Sequence, residues 1–109
     1  MRSVLDPMNP IKLHDRLKTQ IIGQEMEYYV QLTSTNYEAR KLAEEGAPEG
    51  TMLIAETQSA GRGRRGRAWE SPVGGLWLTI ILRPNISPSE APKLTLLTGV
   101  VIARVLRAW

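Results

Sequence analysis

The densest chemistry in this chain lies in Gly61-Arg62-Gly63-Arg64-Arg65-Gly66-Arg67. Glycine admits positive φ and lets backbone approach a ligand closely. Successive N–H groups in such turns form concavities that bind anions. Arginine adds a planar, permanently charged fork matched to carboxylate or phosphate oxygens. The combination suits a site that gathers negative charge. From residue 58 to residue 83 the only acid is Glu70, so the basic character is local, while the whole chain carries a formal charge of only +3. The run is no Walker A loop, because it lacks the Gly-Lys-Ser/Thr ending. Nor is it a dinucleotide fingerprint: Arg64 and Arg65 would crowd the pyrophosphate and no ribose-binding acid follows. Two further readings stay open on these residues alone. Arginine–glycine runs bind single-stranded nucleic acid, and a basic loop can be solvated and bind nothing.

The elements that must position this run belong to one small domain of 109 residues. A chain of this length buries roughly two-thirds of its unfolded surface. With 42% hydrophobic and 23% charged residues, its composition is that of an ordinary globular protein. The absence of cysteine excludes a disulfide scaffold, a thiolate metal site and a cysteine nucleophile, and fits a reducing compartment. The single histidine, His14, stands in the polar stretch Lys12-Leu13-His14-Asp15-Arg16 and reads as a solvated side chain, so no protein-held metal is expected. No apolar run reaches the roughly 18 residues of a membrane span, and the start lacks a signal-peptide core. A cytoplasmic location is the expectation.

Residues 1–20 read as a leader with a short helix, the helical spacing running over residues 11–22. Residues 26–32 predict a strand. Thr35-Asn36-Tyr37-Glu38 has the form of a capping box with Thr35 at the N-cap. It opens a helix that good formers carry to Glu45 and Gly46 stops, with Pro48 beyond. Residues 51–57 predict a second strand. Residues 58–75 are glycine-rich without apolar periodicity and predict a long loop. The apolar run of residues 76–82 predicts a buried strand, with Trp77 in the core. Ser87-Pro88-Ser89-Glu90 looks like another capping box, and Leu94, Leu97, Val101 and Val105 mark the apolar face of the helix it opens.

Thr33-Ser34-Thr35-Asn36, then Glu56-Thr57-Gln58-Ser59-Ala60 leading into the Gly-Arg run, and then Ala68-Trp69-Glu70-Ser71-Pro72 and Gly74-Gly75-Leu76-Trp77-Leu78-Thr79 complete a recognisable order. This order closely resembles the signature of the biotin–protein ligases over roughly residues 21–109. The resemblance implies an α/β (α+β) fold, a mixed sheet with helices packed on one face, of the kind shared by biotin and lipoate ligases and class II synthetases. It implies activation of biotin by Mg2+-ATP to biotinyl-adenylate, then transfer to a lysine of a biotin carboxyl carrier domain of an acyl-CoA or pyruvate carboxylase. Carried over by position, Ser34, Thr35, Asn36 and Gln58 would bind the ureido end of biotin. Gly61, Arg62, Gly63 and Arg64 would meet its carboxylate. Arg62 to Arg67, including Arg65 and Gly66, together with Trp69, would meet the adenylate, with Arg62 and Arg64 as the catalytic charges.

The chain departs from the family pattern in two places. It has no Lys-Trp-Pro-Asn-Asp run, whose lysine contacts carboxylate and α-phosphate in family members. Residues 21–109 therefore read as the N-terminal half of a catalytic domain, truncated and inactive alone. About 30 residues precede Ser34, fewer than a winged-helix domain needs, so specific DNA binding is not expected. Homodimerisation or association through an open sheet edge is expected instead. The alternatives are a non-catalytic nucleotide-, biotin- or nucleic-acid-binding module and a lipoate-ligase-like protein.

Overall fold

The computed structural model describes residues 9–62 and 68–108, with the backbone alone for Arg62, Ala68 and Trp69. Asn9 caps the first helix, α1 (Pro10–Arg16), accepting from the amides of Ile11 and Lys12 at 3.0 and 3.1 Å. The helix is shorter than the spacing predicts. Leu17 is already extended, and the side chains of Thr19 and Gln24 hold the following bend through the Ile22 and Thr19 carbonyls. Side chain–backbone bonds of this kind compete with helix. His14 is exposed, as expected, and its Nε2 lies 3.2 Å from the Gln24 carbonyl.

Strand β1 (Met26–Leu32) has the predicted bounds. Helix α2 (Thr35–Glu44) follows, but its N-cap is Ser34, not Thr35. Ser34 has the extended backbone of a cap, and its Oγ accepts from the Tyr37 amide at 3.4 Å. Thr35 is already the first helical residue, which frees its hydroxyl for other work. Gly46, at φ +94°, ends the helix, and the Arg83 guanidinium donates to the carbonyls of Ala43 and Ala47 at 3.0 and 2.6 Å. A cation at a helix C-terminus suits the orphan carbonyls there.

The long strand β2 (Met52–Arg62) is the axis of the molecule. On one side β1 pairs with it in parallel, Met26 opposite Met52 and Leu32 opposite Gln58. On the other side β3 (Ala68–Ser71) and β4 (Trp77–Ile80) both pair antiparallel, end to end along the same edge. Ser71 faces Gln58 and Trp77 faces Ala55, so the returning chain spends six residues where β2 spends three. The surplus is an outward excursion over residues 72–76. Within the expected loop of residues 58–75, residues 58–62 and 68–71 are instead paired strands. These strands pair through the backbone, so no apolar alternation marks them.

α2 packs over β2 and β4, and Leu53, Ala39 and Ile81 form the core with Tyr29, Leu42, Ala43 and Ala47 against them. Burial between Glu27 and Glu38 raises the Tyr29 hydroxyl above its ordinary pKa, desolvation being the larger cause and the two carboxylates adding to it. The opposite parity of β2 buries Glu56, which takes a hydrogen bond from the Tyr28 hydroxyl at 3.2 Å. Gly50, at φ +89°, lets the chain cross Ile21, whose carbonyl oxygen would sit 2.3 Å from any added Cβ. β4 is half-buried, not buried: only Ile81 is enclosed, while Leu76 and Leu82 are 63% and 47% exposed. One helical layer covers one face, so a continuous apolar run does not by itself bury both.

After β4, residues 88–90 form a 3-10 turn in which Ser87 makes no capping bond; its Oγ lies 3.0 Å from that of Ser89. Helix α3 (Ala91–Arg107) then leaves the sheet, its principal contacts being with that turn. The expected cover of the sheet by helices therefore comes from α2, with α1 lying against β1. On the predicted apolar face of α3, Leu97, Val101 and Val105 stay more than half exposed. Among the described residues no helix is long and apolar enough to cross a membrane.

Candidate functional site

At the start of α2 the chain brings four polar side chains against the middle of β2. The Gln58 carbonyl Oε1 accepts from the Thr35 amide at 2.7 Å and the Thr35 hydroxyl at 3.1 Å. Its Nε2 donates to Ser71 Oγ at 2.9 Å across the β2–β3 pair. Thr79 Oγ1, arriving on β4, lies 2.8 Å from Thr35 Oγ1 and 2.5 Å from Asn36 Oδ1. Ser34, Thr35 and Ser71 are buried, whereas Asn36 is exposed. A buried polar cluster persists only when its members satisfy one another. Here each bond is made by groups from a different element.

This cluster forms one wall of a small cleft of about 130 Å³, closed on the other side by Leu76, Trp77 and Leu78. Leu76, the last residue of the excursion, and the start of β4 make that second wall. Trp77 Nε1 donates to the Pro72 carbonyl at 2.8 Å, and the indole lies over Gly75, where an added Cβ would meet ring atoms at 2.2 Å. Trp77, expected in the core, is therefore half-buried and lines the cleft. A neighbouring depression shares Ser34 and Asn36 and reaches Thr33, Tyr37, Arg40 and Ala60. The Ala60 amide donates to the Thr33 carbonyl at 2.8 Å. That bond ties the outer part of β2 to the residues just before α2, and β2 runs on through Gly61 to Arg62, both paired with β3.

A family model, the biotin/lipoate A/B protein ligase family, matches residues 27–108. This chain belongs to that family. The bifunctional ligase/repressor BirA of Bacillus subtilis strain 168 is 46% identical over 89 residues, covering 81% of this chain and 27% of the relative. The biotin–acetyl-CoA-carboxylase ligase of Paracoccus denitrificans is 41% identical over 69 residues, covering 63% and 28%. Among solved structures, the biotin protein ligase of Leishmania major in complex with biotinyl-5-AMP superposes with a TM-score of 0.63 at 30% identity, over 73% of this chain and 33% of that one. The chain thus spans between about a quarter and a third of the length of these family members.

Of the residues singled out in the sequence, Thr35, Asn36 and Gln58 come together in one hydrogen-bonded network, with Ser34 capping the helix beside it. Gly61 is buried near the end of β2, paired with Trp69 on β3, and Arg62 is the last residue of β2. Gly63, Arg64, Arg65, Gly66 and Arg67 lie outside the described residues. Ser71 and Thr79 are members of the network that residue types alone did not single out. Both stand inside the family-like stretch, but Ser71 meets Gln58 only through a register shift between Gln58 and Gly61, and Thr79 is reached only after the excursion.

Proposed function

We propose that this chain carries the biotin-recognising part of a biotin–protein ligase, with Ser34, Thr35, Asn36 and Gln58 at the ureido end of biotin and the Gly-Arg run over its carboxylate. The observation that carries the reading is the joining of Thr35, Asn36 and Gln58 through direct hydrogen bonds and Thr79 along one wall of a cleft, with β2 running on from Gln58 to Arg62. A cyclic urea has two donors and a strong acceptor, and hydroxyl and amide side chains answer both. The apolar ring of lipoate would leave the same groups unpaired, a costly mismatch for buried polar atoms.

In this role Arg62 and Arg64 draw a carboxylate and a phosphate together and stabilise the charge that builds between them. A biotin carboxylate oxygen attacks the α-phosphorus of ATP, the bond to the β-phosphate bridging oxygen breaks, and pyrophosphate leaves. A carrier lysine amine then attacks the acyl carbon, AMP departs, and the amine loses a proton as the amide forms. Gly61, Gly63, Gly66 and Trp69 would let the run close over the adenylate and exclude water from the anhydride. Among the described residues no group of three or more His, Asp or Glu is placed to hold a metal ion. Mg2+ in this reading enters on the nucleotide phosphates.

Titration calorimetry on the 109-residue chain with biotin, lipoate and a non-hydrolysable biotinyl-adenylate analogue tests the assignment. Biotin should bind and lipoate should not compete. Gln58→Leu should weaken biotin at least about tenfold by leaving buried groups unpaired, and Arg62→Ala with Arg64→Ala should weaken the adenylate analogue more than biotin. No biotin binding, or salt-sensitive binding of single-stranded RNA alone, would overturn the assignment.

A further inference from the structure

We propose that Ser71 is a positioning residue for biotin recognition, clamping the Gln58 amide so that a fixed donor faces the ligand; this rests on the biotin reading above. Gln58 is held at both ends of its amide. A backbone N–H can only donate, so the Thr35 amide at 2.7 Å identifies the near atom of Gln58 as the carbonyl Oε1. That assignment turns Nε2 toward Ser71, whose Oγ accepts at 2.9 Å. Two lone pairs of Oε1 are taken by Thr35 and one hydrogen of Nε2 by Ser71. Among the described residues, the second Nε2 hydrogen has no protein partner.

Ser71 is suited to this work by position. It is 6% exposed, so its hydroxyl is not exchanged for water at little cost. It is the direct cross-strand partner of Gln58 and the last residue of β3, at the point where the returning chain leaves β2. The register thereby sets the distance between the two side chains. Without the hydroxyl, the amide keeps its anchor on Thr35 but can pivot about it, and the donor is presented only part of the time. Preorganised groups bind better than mobile ones because ordering is not paid for at binding. Ser71 takes no part in the helix cap or the apolar core, and a double-variant comparison isolates what it does through Gln58.

The test measures the Gln58 side-chain amide by 15N–1H NMR and biotin affinity by calorimetry in four chains: wild type, Ser71→Ala, Gln58→Leu and the double variant. Ser71→Cys, which keeps side-chain volume but accepts poorly, guards against a packing defect. The wild type should show two well-separated amide protons, one slow to exchange, and both Ser71 variants should lose that signature. Ser71→Ala should weaken biotin by about tenfold, the scale of one buried hydrogen bond, yet add nothing in the Gln58→Leu background. Unchanged amide protons in Ser71→Ala, or an equal loss of affinity in both backgrounds, would overturn the clamp. A Ser71-dependent amide in a chain that fails to bind biotin would overturn the biotin reading and uphold the clamp.

Discussion

Tyr29 and Gln58 differ in how much of their environment local sequence carries. Glu27 lies two residues before Tyr29 and Glu38 nine after it, and burial against α2 completes the surroundings that raise its pKa. The sign follows from the neutral form being the protonated one. A raised folded-state pKa gives stability that is whole below pH 10.0 and is lost as pH climbs through the folded value. Tyr29→Phe should therefore flatten the fall of stability above pH 10.0, measured by denaturant midpoints across the alkaline range. An identical alkaline fall in both proteins would contradict this. For Gln58 the partners come from far along the chain: Thr35 is 23 residues away and Ser71 is 13. Residue type and family likeness single out Ser34, Thr35, Asn36 and Gln58, and the fold gathers them at the start of α2. Thr79 joins Thr35 from 44 residues away, and only because an excursion shifts the register by three; no local pattern encodes that.

Among the elements, β1 and α2 were the most legible, since alternation, good helix formers and Gly46 all point one way. The start of α2 was misplaced by one residue because both Ser34 and Thr35 are good caps, and only backbone geometry separates them. Ser34→Ala should lower stability by about 1 kcal/mol and Ser34→Gly by a few tenths, read by chemical denaturation. Equal, negligible effects would return the cap to Thr35. The outer part of β2 is illegible for the opposite reason: it pairs by backbone, and Ser59 is exposed while Gln58 and Ala60 are only part-buried, so no apolar pattern announces it. The crossing at Gly50 belongs to this scale too. Gly50→Ala adds a Cβ against the Ile21 carbonyl at a positive φ, and should cost about 1–3 kcal/mol, visible as a lower thermal midpoint. Wild-type stability would show that the Ile21 segment moves aside freely.

The whole molecule has one well-covered sheet face and much uncovered apolar surface. On α3, Leu96, Leu97, Val100, Val101, Ile102, Val105 and Leu106 are each at least half exposed, and a helix apolar on most sides is normally buried. Among the described residues, β1 also has an unpaired outer edge. The chain should therefore associate as its concentration rises, seen as a growing mean mass in sedimentation equilibrium. A constant monomer mass across the micromolar range would contradict this. The excursion at residues 72–76 bears on the molecule's history as well as its shape. β3 and β4 are each registered on β2 independently, so residues added or removed between them change the depth of the cleft wall without re-threading the sheet. The length of that one short segment can change while Gln58 and Thr79 stay where the two registers put them.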